Sequence, residues 1–478
     1  MKRIKVLLNV NQGNCECTTT ARMEAIADVR NALSFATMNA CCVPISTPEL
    51  IINVDATQFT CGDVKGSGAQ AAYVGKRPRN LKVQPKKGES GLTSYFIKYY
   101  ATISAAGGRA RPIYIIADDQ MKEQAIDVHE VTGIGAGTHP GETAYIVFCK
   151  SRVPQLEFYK WYVRIILVPW VQELREIYGI DTAVPAFFQL DGEAAQIAPF
   201  LTDTQIRELC DEHNILVGKP SGSTTSTTQA LDKGPLFLTS KGYLAVTTDL
   251  DVADHWLIRN GRLRAVWDLH KKHMEQDGGK SGLSDAHRKS GIHGILRIHQ
   301  STQRAFHSKA ITDSFKETGL YPFDMTVIFS NCTGNITPDE QMHFLEILPR
   351  LKRLFMEQGE LLELDYDKFQ VRAGTADRGQ HLIVSRRRCV LLSSPGFWAR
   401  ELEKQRLKEQ TVSLKEIEKE RKRKATASNK AKKEEKAEAK RLRTAPPPPP
   451  APVPPPPPPP PVPTGRRQGV TPARFREG

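Results

Sequence analysis

Short apolar runs, set off by glycine, proline and serine, divide the first half of the chain into strands and helices. Residues 50–54 (LIINV) predict a first strand, and 93–108 (TSYFIKYYATISAAGG) a long second strand whose turn falls at Gly107 and Gly108. Residues 111–117 (RPIYIIA) predict a third, so these three read as a meander. From 155 to 178 the repeat lengthens to that of a helix, with Phe158, Tyr162, Ile165 and Ile166 on one face and Pro169 placed to kink or split it. AFFQLDG (186–192) predicts a buried strand delivering Asp191 at its end. Thr202 followed by Gln205 is a capping-box pattern, opening a helix to Asn214 with Ile206, Leu209 and Cys210 as its apolar stripe. NILVG (214–218) predicts a fifth strand, and after the Ser/Thr-rich stretch 221–228 Pro235 requires a helix to start at or just after Asp232. The resulting order is three strands, helix, strand, helix, strand, helix, which is an α/β pattern.

Outside that stretch the pattern changes. Residues 1–48 form an N-terminal segment with a helical patch from about Thr20 to Met38, and residues 251–400 read as a mostly helical extension of the 49–250 core. Residues 401–478 form a tail in two parts. Glu401 to Arg443 is charged and rich in helix formers, but Leu402, Leu407, Leu414 and Ile417 sustain no heptad, which favours a single frayed helix over a coiled coil. Residues 446–463 carry 15 prolines, a composition that adopts polyproline II, excludes a packed core and predicts disorder.

Charge sharpens this division. The chain of 478 residues carries a net charge of +14, and the tail alone, with 20 Lys and Arg against 10 Asp and Glu, supplies +10 of it. A tail of that kind attracts polyanions through counterion release, without any sequence preference. Nine cysteines at irregular spacing include no CxxC pair, which suggests a reducing compartment; Cys15 with Cys17, and Cys41 with Cys42, are read as ordinary thiols over soft-metal ligands. The apolar run near the start (MKRIKVLLNVNQ) is too short for a signal peptide. The most apolar helix, around 161–171, contains Arg164 and Pro169 and falls short of the roughly 20 apolar residues of a membrane span. Six histidines lie between His270 and His307, and His270 and His273 could share a helix face. No cysteine or carboxylate stands at matching spacing, so they read as solvated or phosphate-facing groups.

The candidate chemistry lies in three aspartates, Asp55 in IINVDATQF, Asp191 in AFFQLDGE and Asp232 in TTQALDKGPLF. Any one alone reads as a cap or turn former, because a short carboxylate bonds nearby backbone amides. As a set, each ends or follows an apolar run or opens a helix, so folding could bring them together across 136 and 41 positions. Three carboxylates suit two Mg²⁺ or Mn²⁺ ions, hard cations that take oxygen ligands and can activate water on one side of a phosphodiester while stabilising the leaving oxygen on the other. Without cations, such like charges raise one another's pKa.

These blocks resemble the DDE superfamily endonucleases, the transposase catalytic domains of pogo and mariner relatives. NVDATQF is similar to the first-aspartate block, FQLDGEAAQI to the second, and KPSGSTTSTTQALDKGPLF to the third; ITDSFKETGLYPFD (311–324) resembles a non-catalytic block that follows the core. The resemblance spans about residues 45–330 and implies an RNase H-like mixed sheet flanked by helices, with Asp55, Asp191 and Asp232 binding the two metal ions that cut or join DNA. Ala56 stands where the family usually has Glu, and Gly192-Glu193 also departs from the pattern. Strand alternation would place Glu193 on the face of Asp191 as a substitute ligand unless the chain turns after Gly192. Family members generally carry helix-turn-helix units ahead of the first aspartate, where 54 residues stand here, so the resemblance implies a truncated gene model, an element remnant, or a domesticated core that finds DNA through its basic tail or a partner.

The alternative is a catalytically inactive, transposase-derived protein that binds nucleic acid. The polyproline run is a passive spacer or a ligand for SH3-, WW- or profilin-like partners. KERKRK (419–424) and KRLR (440–443) have the spacing of a bipartite nuclear-import signal, against the plainer reading of a solvated helix. No membrane partner is expected, and self-association is allowed.

Overall fold

A computed structural model of the chain describes residues 29–61, 95–132, 134, 143–151, 155–221, 224–233, 236–246, 261–331, 336–361 and 389–444. Residues up to Lys404 belong to one compact unit and those from Gln405 to a second. In the first, helix α1 (Val29–Cys42) precedes strands β1 (Ile51–Cys61), β2 (Tyr95–Ser104), β3 (Ile113–Ala117), β4 (Ile126–Thr132) and β5 (Thr143–Cys149). Helices α2 (Leu156–Tyr162) and α3 (Val168–Tyr178) follow, then β6 (Ala186–Gln189), α4 (Ala194–Thr202), α5 (Thr204–Glu212) and β7 (Ile215–Lys219). Two single-turn helices, α6 (Thr225–Thr228) and α7 (Ala230–Lys233), lead into α8 (Leu236–Val246). The remaining elements are α9 (Gly261–Gln276), α10 (Asp285–Ala305), α11 (Ser308–Glu317), α12 (Met325–Ser330), α13 (Pro338–Gln358), the two-residue β8 (Val390–Leu391) and α14 (Pro395–Thr444).

The fold is α/β: an eight-stranded mixed sheet in the order β4-β5-β3-β2-β1-β6-β7-β8, flanked by helices. β1, β2 and β3 are antiparallel neighbours, as the predicted meander requires, while β6 and β7 lie parallel to β1 on its other side. Strand alternation sends Ile51 and Phe59 into one apolar core and Ile52 and Val54 into the other. The first core receives α1 and the helices from α9 to α13; the second receives α2 to α5. The residues read as a 49–250 core and a 251–400 extension thus share one unit, because the later helices pack with α1, α7 and α8 into the core on one face of the sheet.

Several local expectations change. The predicted third strand is followed by a further pair, β4 and β5, with β5 parallel to β3 and β4 antiparallel to β5. The long helix predicted over 155–178 is split by a π-helical turn, Val163–Leu167, just ahead of Pro169, whose missing N–H is accommodated near the start of α3. That turn rotates Ile165 out to solvent while Phe158, Tyr162 and Ile166 stay buried. Thr202 ends α4 rather than capping α5; Asp203 is the cap, accepting from Gln205 N and Ile206 N. The helical patch placed at 20–38 is α1, which continues to Cys42; the part before residue 29 lies outside the described residues.

The second unit is described to Thr444 as the continuation of α14, one helix in which every residue from Arg406 to Arg441 is exposed. Its surface carries i,i+4 pairs such as Glu418–Lys422 at 2.6 Å and Glu420–Lys424 at 2.8 Å. The polyproline run lies outside the described residues. Among the described residues no helix is long and apolar enough to cross a membrane.

Candidate functional site

β1 is the strand on which the site is built. Its residues facing the first core run Ile51, Asn53, Asp55, Thr57, Phe59, so two apolar ends bracket a polar centre. Asp55 lies opposite Ala101 of β2 and is 7% exposed. Asn53 lies opposite Gln189 of β6, and these two buried amides fix what surrounds the acid. Asn53 Oδ1 accepts from Leu231 N at 3.1 Å, which pins α7, and with it Asp232, against β1. Gln189 donates from Nε2 to Thr228 O at 2.9 Å, anchoring the segment that leads into α7. Asp191 follows the end of β6; its N–H donates to Gln196 Oε1 at 3.0 Å, so the first turns of α4 hold the loop that carries it.

These anchors set Asp232 beside Asp55 and Asp191 near enough for its charge to act on Asp55, although one carboxylate oxygen from each does not lie within 4.8 Å of the other two. The Asp55 and Asp232 carboxyls are in hydrogen-bond contact, and the charge of Asp191 also acts on Asp55. Burial, then the charges of Asp232 and Asp191, push the Asp55 carboxyl well above its ordinary pKa, against the single favourable bond that Oδ1 accepts from Ala56 N at 2.7 Å. A group so placed holds a proton or needs a cation. Burial lowers the pKa of Lys219, at the end of β7, while the Asp191 charge opposes that shift; the charges of Asp232 and Asp55 act likewise on Lys241 of α8. Both lysine side chains are therefore within electrostatic reach of the acids.

Glu193 does not take the place alternation would give it. β6 ends at Gln189, the chain turns, and Glu193 becomes the N-cap residue of α4, where its Oε2 accepts from the Tyr159 hydroxyl at 3.3 Å. Around the acids several buried polar atoms have no hydrogen-bond partner among the described residues: Asn53 Nδ2, Gln189 Oε1, the Tyr100 hydroxyl and both amide atoms of Gln229, three positions ahead of Asp232.

The histidine region also differs from the sequence reading. His270 and His273 do share a face of α9, and the carboxylate that spacing could not supply comes from β4: Asp127 accepts from His270 Nδ1 at 2.8 Å and meets His273 Nδ1 at 2.9 Å. His129, two residues along β4, completes the cluster with Nε2 at 3.0 Å from Asp127. Neighbouring odd positions in IDVHEVT were the available signal, but only the fold carries that strand to α9. The Cys41 and Cys42 thiols, by contrast, are buried in the first core, and burial pushes Cys41 up to about 12, so neither offers a thiolate.

No protein-family model, no curated protein and no solved structure matches this chain.

Proposed function

We propose that Asp55, Asp191 and Asp232 form the centre of a DDE-type, metal-dependent enzyme acting on DNA phosphodiesters within an RNase H-like frame. The observation that carries this reading is that three carboxylates distant in sequence act on one another at a buried strand centre, where burial and then the charges of Asp232 and Asp191 raise the Asp55 pKa. The sheet plan supports it: an antiparallel β1-β2-β3 meander with β6 and β7 parallel beside β1 agrees with the RNase H-like order, the acids sitting on the central strand, after its parallel neighbour and on a flanking helix. In this reading the β4-β5 pair and β8 are additions at the two edges.

The donor set fits Mg²⁺ or Mn²⁺, because all three groups are hard oxygen ligands and unpartnered amide and hydroxyl atoms around them can orient bound water. Bound there, two such cations supply an activated water or 3′-hydroxyl and stabilisation of the leaving oxygen. The rest falls to the chain. Asn53 and Gln189 hold α7 so that Asp232 stays against Asp55, Gln196 fixes the Asp191 loop, and Lys219 and Lys241 offer positive charge to a phosphodiester at the rim. Ala56, where the family usually has Glu, leaves Asp55 with only a backbone N–H on that side. The test is nicking of supercoiled DNA by the purified chain in Mg²⁺ or Mn²⁺; Asp191→Ala abolishes it, and equal nicking by that variant refutes the assignment.

A second reading, a nucleic-acid-binding protein without catalysis, is favoured by one feature, the fully exposed basic helix beyond Lys404. It requires salt-sensitive DNA binding that survives loss of all three aspartates and disappears on removal of residues 401–478. Nuclear import through the two basic clusters on that helix is consistent with either.

A further inference from the structure

The geometry points to a second metal site, for a zinc-class divalent ion, formed by Asp127 and His129 of β4 and His273 of α9. It is independent of the reading above and lies at the far edge of the sheet: β4 is separated from β1 by β5, β3 and β2, four strand spacings or about 19 Å.

The ligand atoms converge because two periodicities meet. Along β4 the side chains of 127 and 129 fall on one face, and on α9 residues 270 and 273 fall on the face turned to that strand. One ligand atom from each of Asp127, His129 and His273 lies within 4.8 Å of the other two. Their closest approaches to Asp127 are 3.0 Å for His129 Nε2 and 2.9 Å for His273 Nδ1. A tetrahedral ion with bonds of about 2.0–2.1 Å needs ligand atoms about 3.3 Å apart, a separation inside the 4.8 Å within which the three atoms are gathered. Two imidazoles and one carboxylate match zinc-class ions and not magnesium, which prefers oxygen alone.

The surroundings are built for a fixed carboxylate. His270, fully buried, donates to Asp127 Oδ2 from one ring nitrogen and meets Asp118 Oδ2 at 2.9 Å with the other. Asp118 is in turn held by Ser281 Oγ at 2.7 Å, Gly282 N at 3.0 Å and Gln120 N at 3.1 Å. The His270 ring stacks on Phe148 with centroids 3.9 Å apart and 7° between planes, which leaves it one orientation. This is the outer hydrogen bonding that metal-ligating carboxylates use. The His129 and His273 rings lie 22° from parallel, and half of the His273 side chain is exposed, giving an ion an entry path and leaving a coordination position to solvent. Bound there, the ion clasps α9 to the edge strand.

The test uses the full chain, stripped with a chelator and titrated with Co²⁺ for its visible tetrahedral bands and with Zn²⁺ by calorimetry. One equivalent should bind with those bands. His273→Ala, at a half-exposed position that the core does not need, should abolish them, and His270→Gln should weaken Zn²⁺ about 10–100-fold through the lost support of Asp127. Asp191→Asn should leave the bands intact. Absence of tetrahedral bands in a chain shown folded by circular dichroism overturns the site, and so does Zn²⁺ binding unchanged by His273→Ala, which would place the ion on other surface histidines.

Discussion

Replacing Asp55 by asparagine should stabilise the metal-free protein while removing a ligand from the proposed centre. Asparagine keeps the shape and can still accept from Ala56 N, but it carries no charge beside Asp232 and Asp191. Two like charges about 4 Å apart at an effective dielectric of 20 repel by about 4 kcal/mol, which bounds the effect from above. Wild type escapes part of that by binding a proton, so a gain of about 1–2 kcal/mol is expected, as for other relieved active-site strain. For a unit of this size that is about 2 °C in Tm at an unfolding entropy near 2.1 cal/mol/K per residue. The sign follows from linkage. Because the folded Asp55 pKa is raised, its contribution in wild type is most favourable below the unfolded carboxylate pKa of about 3.9 and is lost as pH rises through the folded value. The variant's advantage is therefore absent near pH 4, grows with pH and then levels off. Magnesium at 100 times Kd reverses the order, since only wild type gains binding energy, about 2.7 kcal/mol. Calorimetric melts across pH, in chelator and in MgCl2, decide the matter. A variant less stable than wild type in chelator at pH 8, or an identical difference at pH 4 and 8, refutes the argument.

Other substitutions probe the scaffold. Asn53→Ala removes the acceptor for the buried Leu231 N–H and should cost about 1–3 kcal/mol in urea unfolding, with any DNA nicking lost as Asp232 loses its anchor. Gly218→Ala would put a methyl 2.6 Å from Phe187 Cε2 and 3.1 Å from Met38 Sδ, overpacking the sheet by about 1–3 kcal/mol, seen as a lower urea midpoint with unchanged slope. Truncation after Lys404 should leave the melting of the first unit unchanged while flattening the salt dependence of DNA binding, measured by fluorescence anisotropy.

Most of the strands that sequence reveals are apolar runs, although β5, TAYIVFC, is one as well and was not expected. LIINV, AFFQ and the IYII of RPIYIIA are buried on both faces and NILVG on one, so hydrophobicity alone marks them. β4 escaped because IDVHEVT places Asp127 and His129 at alternate positions, and polar side chains facing a helix look, in sequence, like side chains facing water. α4 was hidden by Pro199 within it, and its end mimicked the start of α5 because Thr202 and Asp203 both suit a cap. The aspartates could be listed as a set, but their proximity depends on Asn53 and Gln189, two amides that nothing in the sequence distinguishes from surface residues. Asp127 and His273 stand 146 positions apart, and no spacing rule links them.

The sheet's last strand sets a timetable for synthesis. Val390 and Leu391 pair with Lys219 and Gly218, and Leu392 N bonds Val217 O, so the border of β7 beside Asp191 is sealed by residues made some 170 positions later. A ribosome-bound chain carries that border open while those intervening residues are made, inviting other chains to pair there. Products that stop between residues 232 and 390 would retain all three aspartates and still lack this closing strand.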